Sequence, residues 1–153
     1  MDKKKPGLPE KILYLSETDE EKNMNDQELK KKSKEFAQSN FQGKKYFNSS
    51  AGKEILVSAD GIGKWHNITK SRDQGLSIKK LDEMLKFAIR VDGSTDEKNR
   101  HSVDGFTYFE QLIFVNNNLY KAKIATKETH GNESKYYYHF LEVRTDDKKN
   151  KPN

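Results

Sequence analysis

Four histidines, His66, His101, His130 and His139, have the side-chain type best suited to moving protons near neutral pH. Their contexts differ. His130 sits beside Gly131 in a turn and reads as a solvated imidazole. His101 falls in a polar loop and reads as inert. His66 follows the glycine-rich stretch Asp60-Gly61-Ile62-Gly63, which reads as a turn, and His139 lies in the middle of an aromatic strand pattern. Cleaving RNA without a metal requires a base for the ribose 2′-OH and an acid for the leaving 5′-oxygen. It also requires a cation for the charged pentacoordinate phosphorus. Two histidines and a lysine meet that need. Tyrosines can stack a base or donate to a phosphate. Lys64, Lys121, Lys123, Tyr108 and Tyr138 are the residues in reach of such a role.

Other chemistries lack their parts. The chain has no cysteine, which excludes disulfides, thiolate zinc sites and a cysteine nucleophile. There is no His-Glu-x-x-His pattern. Asp146-Asp147 falls in the tail, and Asp92, Asp96 and Glu97 fall in a polar loop as solvated groups. Gly61 to Lys64 does not have the spacing or the Gly-Lys-Ser/Thr ending of a phosphate-binding loop. No metal and no cofactor is therefore expected.

The elements that must position these residues follow from periodicity. Asp26 can cap a helix from Gln27 to about Ser39, with a thin apolar stripe of Leu29, Ser33, Phe36 and Ala37 and Phe41 just beyond. Ile55-Leu56-Val57 reads as a short strand. Ile78, Leu81, Met84, Leu85, Ala88 and Ile89 recur at helical steps behind Ser77 as a candidate N-cap, which predicts a helix that packs on a sheet. Three strands follow, over Phe106–Val115, Leu119–Thr126 and Tyr136–Val143.

A two-residue turn at Asn117-Asn118 would set Val115 against Tyr120, Ile113 against Ala122 and Gln111 against Ile124. The other face then carries Tyr108, Glu110 and Leu112 with Lys121, Lys123 and Ala125. A three-residue turn would instead put Lys121 and Lys123 beside Ile113 and Gln111; the first register segregates polarity better. The last strand has aromatic groups on both sides, so either side can face inward.

The fold class expected is α+β: N-terminal helix or helices packed on a mostly antiparallel sheet of about four strands, ending in a β-meander. Residues 1–24 read as a polar leader, with Ile12-Leu13-Tyr14-Leu15 able to dock on the core or pair as an edge strand. Residues 25–145 read as one domain, best defined over 54–144, and 146–153 as a disordered tail. Only 32% of the 153 residues are apolar and 35% are charged, which suits a compact core with polar ends. No apolar run is long enough to span a bilayer, and the basic start lacks the apolar stretch of a secretory signal, so a cytoplasmic protein with no membrane partner is expected. A net charge of +5 favours a polyanion partner, chiefly nucleic acid.

The order of strand, Gly61-Ile62-Gly63-Lys64, His66, amphipathic helix and three strands resembles the phage and mobile-element nuclease domains of the barnase–EndoU–colicin–RelE-like fold, including those associated with large polyvalent proteins. The resemblance covers about 90 residues and leaves out 1–50. It implies helices on a four-stranded antiparallel sheet and RNA cleavage, typically leaving a 2′,3′-cyclic phosphate. Carried over, it makes His66 one proton-transfer group and His139 the second. Lys123 and Lys64 lie on the phosphate, Lys121 beside them, and Tyr108 or Tyr138 positions a base. It also implies an RNA substrate and, for a toxin, an immunity or antitoxin partner. An arginine on the central strands is missing; Arg144 lies at the sheet edge. The alternative is a non-catalytic accessory domain of a larger phage-type protein that binds nucleic acid or protein.

Overall fold

A computed structural model describes residues 11–91, 105–129 and 133–144. The elements run in order β1 (Ile12–Leu15), α1 (Asp19–Lys22), α2 (Asp26–Asn40), β2 (Lys45–Asn48), β3 (Lys53–Leu56) and α3 (Ala59–Ile68). They continue with α4 (Arg72–Ser77), a 3₁₀ turn (Ile78–Lys80), α5 (Leu81–Phe87), β4 (Ile89–Val91), β5 (Phe106–Val115), β6 (Asn118–Glu128) and β7 (Glu133–Val143).

The expected sheet of about four mostly antiparallel strands is not what forms. The sheet has seven strands and is mixed, in the order β1-β5-β6-β7-β3-β2, with β4 also on β5. β1 runs parallel to β5 and β3 runs parallel to β7, and the sheet curls into a half-barrel. The four-stranded antiparallel sheet implied by the barnase-like resemblance is therefore absent. The extra strands, β1, β2 and β4, are three or four residues long, too short for an alternating pattern to stand out. The meander β5-β6-β7 is present.

Helix boundaries also move, each for a local reason. Asn25, not Asp26, caps α2: its side chain accepts from the Glu28 N–H at 2.8 Å. The stretch Asp60 to Lys64 is the first part of helix α3, not a turn. Ser58 is its N-cap, with the hydroxyl accepting from the Gly61 N–H at 3.1 Å. The helix expected from Ser77 starts earlier. Ser71 caps α4, and the path to Phe87 is broken by the 3₁₀ turn at 78–80. Ala88 then turns to extended backbone, so Ile89 opens β4 and does not close a helix. The expected apolar set is nonetheless sound: Ile78, Leu81, Met84, Leu85 and Ala88 are all buried.

Helices α2 to α5 cover one face of the sheet. The core between them holds Leu29, Ala37, Ile62, Trp65, Leu76, Ile113, Ile124 and Tyr136, among others. Buried Asn48 ties α5 to β2: its amide donates to the Leu85 and Ala88 carbonyls at 2.8 and 2.9 Å, satisfying groups left open at a helix end. Gln74, also buried, treats the open edge of β7 as a strand would. It donates to the His139 carbonyl at 2.9 Å and accepts from the Leu141 N–H at 2.7 Å. Gly61 permits α3 to lie against β7, because a methyl group there would overlap the Tyr136 carbonyl oxygen.

The β5–β6 turn is Asn116-Asn117, with φ of 52° and 72°, the positive values that a two-residue hairpin demands. That is one residue earlier than expected. Val115 therefore pairs with Asn118, Ile113 with Tyr120, Gln111 with Ala122 and Phe109 with Ile124. Each partner moves by two residues, and an even shift leaves every side chain on its expected face. The segment that follows β1 is held by side chains as well. Arg72 donates to Glu17 at 2.5 Å and Asp26 at 2.9 Å, and Lys79 pairs with Glu21 at 2.5 Å.

Candidate nucleic-acid interface

The face of the sheet turned away from the helices decides what the chain can touch. In β5 and β6 it carries Phe106, Tyr108, Glu110, Leu112 and Phe114 opposite Lys127, Ala125, Lys123, Lys121 and Leu119. In β7 a bulge intervenes. Thr126 pairs with Tyr136 and Ala125 with Tyr138, leaving Tyr137 as the extra residue. The bulge reverses the strand's alternation. Before it Ser134 and Tyr136 point inward; after it His139 does, and Tyr138 and Phe140 point outward. This is why neither side of the strand could be chosen from its sequence.

His139 consequently lies in the core. It is fully buried, with its ring stacked on Trp65 at 6.2 Å. Ser77 donates to the Gln74 carbonyl at 2.7 Å, so its oxygen is left to accept from His139 Nε2 at 2.9 Å. Nδ1 then accepts from the Tyr136 hydroxyl at 2.7 Å. One neutral tautomer satisfies the whole set, and a second ring proton would leave the Tyr136 hydroxyl without an acceptor. Burial holds the imidazole down to a pKa of about 3. The same burial pushes the Tyr136 hydroxyl well above its ordinary range.

His66 is half-buried on α3, next to Trp65 and on the helical side of the sheet. Desolvation lowers its pKa, and the charges of Lys34 and Lys30 on α2 lower it further. Lys123 is on the opposite face. It sits 3.9 Å from Glu110 and 3.4 Å from Glu142, while Lys121 sits 3.5 Å from Glu110. The sheet thus separates Lys123 from His139 and His66, and the three residues expected to act on one phosphate do not converge. His101 and His130 lie outside the described residues.

Three of the four residues expected to hold a substrate do gather. Lys64 Nζ lies over the Tyr137 ring, 5.0 Å from its centre. Tyr137 meets Phe106 edge-on at 5.0 Å and Tyr138 at 5.3 Å, and Phe106 stacks with Tyr108 at 6.4 Å. Tyr108 and Tyr138 flank Ala125, which faces outward yet is only 2% exposed. In the next row Phe106, Lys127 and Lys135 are neighbours across three strands, and both lysines are exposed. Lys121, the fourth, belongs instead to the cluster with Glu110. Sequence reading missed Phe106, Tyr137, Lys127 and Lys135. Phe106 shares the parity of Tyr108, and Lys127 shares that of Lys123, so both were within reach of the alternation; Tyr137 and Lys135 depend on the bulge.

A cavity of about 160 Å³ between α2 and α4 is lined by Lys30, Thr69, Lys70 and Arg72, among others. Its main cations are already engaged. Lys30 donates to the Thr69 carbonyl at 3.0 Å, and Arg72 holds two carboxylates and the carbonyls of Glu21 and Met24.

No helix among the described residues is long and apolar enough to cross a membrane. Neither a curated protein nor a solved structure matches the chain. A family model does, over residues 24–138, which is most of the chain and spans every element from α2 to the bulge. The chain belongs to the family described as large polyvalent protein-associated domain 3.

Proposed function

We propose that the chain is a non-catalytic, nucleic-acid-binding accessory domain of a phage or mobile-element polyvalent protein. The observation that carries this reading is the cluster of Phe106, Tyr108, Tyr137 and Tyr138, with exposed Lys127 and Lys135 in the neighbouring row of the sheet and Lys64 of α3 reaching over the Tyr137 ring. Basic side chains interleaved with aromatic rings suit phosphates and bases together. The ribonuclease reading lacks its assembly, because the sheet parts Lys123 from both histidines. His139, moreover, is locked as a neutral core residue by two hydrogen bonds. An immunity partner belongs to the toxin reading and has no place in this one.

The test is titration of a labelled RNA with the protein in EDTA, followed by inspection of the RNA for product. Three lysines on a single strand give a log affinity that falls with log salt at a slope of about −2. Lys64→Glu and Lys127→Glu weaken binding, and His66→Ala leaves it unchanged. A cleavage product that disappears in His66→Ala restores the ribonuclease. Absence of binding at low salt rejects the proposal.

A further inference from the structure

We propose that the outer edge of β1 pairs with the same edge of a second copy of this chain, joining the two sheets across a twofold axis at Tyr14. The surface is a different one from the aromatic cluster, and the proposal does not rest on the nucleic-acid reading.

The backbone shows which groups this edge offers. Among the described strands β1 pairs only with β5. The Lys11 carbonyl accepts from the Gln111 side chain, and the Leu15 carbonyl accepts from the Asn116 N–H at 2.9 Å. The Glu17 N–H donates to Asn116 Oδ1 at 2.9 Å. Lys11, Leu15 and Glu17 thus turn their backbone groups toward β5 and its hairpin. Alternate residues of an extended strand face opposite ways, so Ile12, Tyr14 and Ser16 turn theirs to the open side. None of those groups has a hydrogen-bond partner among the described residues.

The edge is also unguarded. Sheet edges are usually kept from pairing by charged side chains, proline or a bulge. The strand at the other edge, β2, follows that rule, with Lys44 before it and Lys45 at its start. β1 is Ile12-Leu13-Tyr14-Leu15 and has none of these devices. Tyr14 is 64% exposed although its ring stacks on Phe114 at 5.2 Å, and Ile12 is 36% exposed.

The partner strand that fits is β1 itself. In an antiparallel pair centred on Tyr14, that residue meets its own copy and Ile12 meets Ser16 of the second copy, so every open N–H faces an open carbonyl. The twofold axis stands normal to the sheet and keeps both helix-free faces on one side. Phe114 and Tyr14 of each chain then form one aromatic row across the axis. The same register sets Lys11 across from Glu17 of the second copy. Lys11 has no carboxylate partner among the described residues, and Glu17 spends only Oε2 on Arg72.

The experiment is sedimentation equilibrium of the full chain from micromolar concentration to about 1 mM, where an association with a Kd of that size is half complete. A monomer–dimer equilibrium is expected, with exchange of the Ile12 and Tyr14 amides slowing as concentration rises. Tyr14→Lys opposes two ammonium groups at the axis and is expected to abolish the dimer. Emission from buried Trp65 reports whether the variant is folded, and should it unfold, the amide exchange of the wild type decides. The chain has no cysteine, so single cysteines locate the contact. Opposed residues of a hydrogen-bonded pair lie about 5.5 Å apart at Cα, within disulfide reach, so Tyr14→Cys is expected to crosslink on mild oxidation. Ile12→Cys faces Ser16 instead of itself and is expected not to. A chain that stays monomeric overturns the proposal, and slow Ile12 and Tyr14 amides in that monomer mean that the edge is covered within one chain. A dimer that survives Tyr14→Lys, that leaves both amides unprotected, or that crosslinks equally through either cysteine also overturns it.

Discussion

Lowering the pH from 7 to 5 tests the placement of His139, on which the non-catalytic reading turns. An unperturbed histidine titrates at 6.5, and burial holds the folded-state value near 3. As pH falls through 6.5, the unfolded chain takes up a proton that the folded chain refuses until about pH 3. Stability is therefore full above about 6.5 and is lost progressively down to about 3. Each pH unit inside the window is worth about 1.4 kcal/mol, so the drop from pH 7 to pH 5 costs about 2 kcal/mol from this residue. The interval lies above the range where ordinary carboxylates titrate, which keeps them out of the comparison. His66 adds a contribution of the same sign, because its folded-state pKa is also lowered.

Urea denaturation at the two pH values measures the sum, and His139→Phe isolates the term. That variant keeps a ring against Trp65 but removes the acceptor of the Tyr136 hydroxyl, so it is less stable at pH 7 by about 1–3 kcal/mol. It should lack the further 2 kcal/mol decrement at pH 5. An imidazole Cε1 resonance for His139 that titrates with a midpoint near 6.5 would refute the reasoning, since such a ring is solvated and fit for proton transfer.

Three further substitutions probe how the face is built. Gly61→Ala forces a methyl group into the Tyr136 carbonyl and should lower the unfolding free energy by about 1–3 kcal/mol; a change within experimental error means α3 does not rest on β7. Gln74→Leu strips the edge of β7 of both side-chain hydrogen bonds and should cost about 2–4 kcal/mol, with the Leu141 amide exchanging faster with solvent; unchanged exchange contradicts the role assigned to Gln74. Asn117→Gly, at φ 72°, should raise the melting temperature. Asn116→Gly should lower it, because the Asn116 side chain accepts from the Glu17 N–H and donates to Asp73; the reverse order would contradict the turn assignment.

What the sequence disclosed depends on the length over which each pattern runs. The ten-residue strand β5 alternates cleanly and β6 does so from Lys121 to Ile124, so the side chains on each face were legible even though the turn lay one residue from its expected place. Helix α2 had both a stripe and a cap nearby, and it was found to within a residue at each end. Four-residue strands such as β1 and β2 carry too little pattern to announce a sheet position. β2 joins β3 in a local hairpin, but the parallel pairings of β1 with β5 and of β3 with β7 are made between segments far apart in the chain.

Gly61-Ile62-Gly63 suggested a turn because glycine weakens helices. Ser58 capping and the need for close approach to Tyr136 outweighed that propensity. The candidate site suffered most from the bulge at Tyr137. One inserted residue exchanged the two sides of β7, buried His139 and brought Tyr138 outward. No local rule applied to Tyr136-Tyr137-Tyr138 identifies which of three tyrosines will be the extra one.

The most direct measurement of the central claim is an amide chemical-shift titration of the isotope-labelled chain with a short unpaired RNA, followed by inspection of the RNA for product. The account predicts intact RNA and shifts clustered at Lys64, Phe106, Tyr108, Lys127, Lys135, Tyr137 and Tyr138. Shifts centred on His66 and the helical side, or RNA cleaved during the titration, would contradict it.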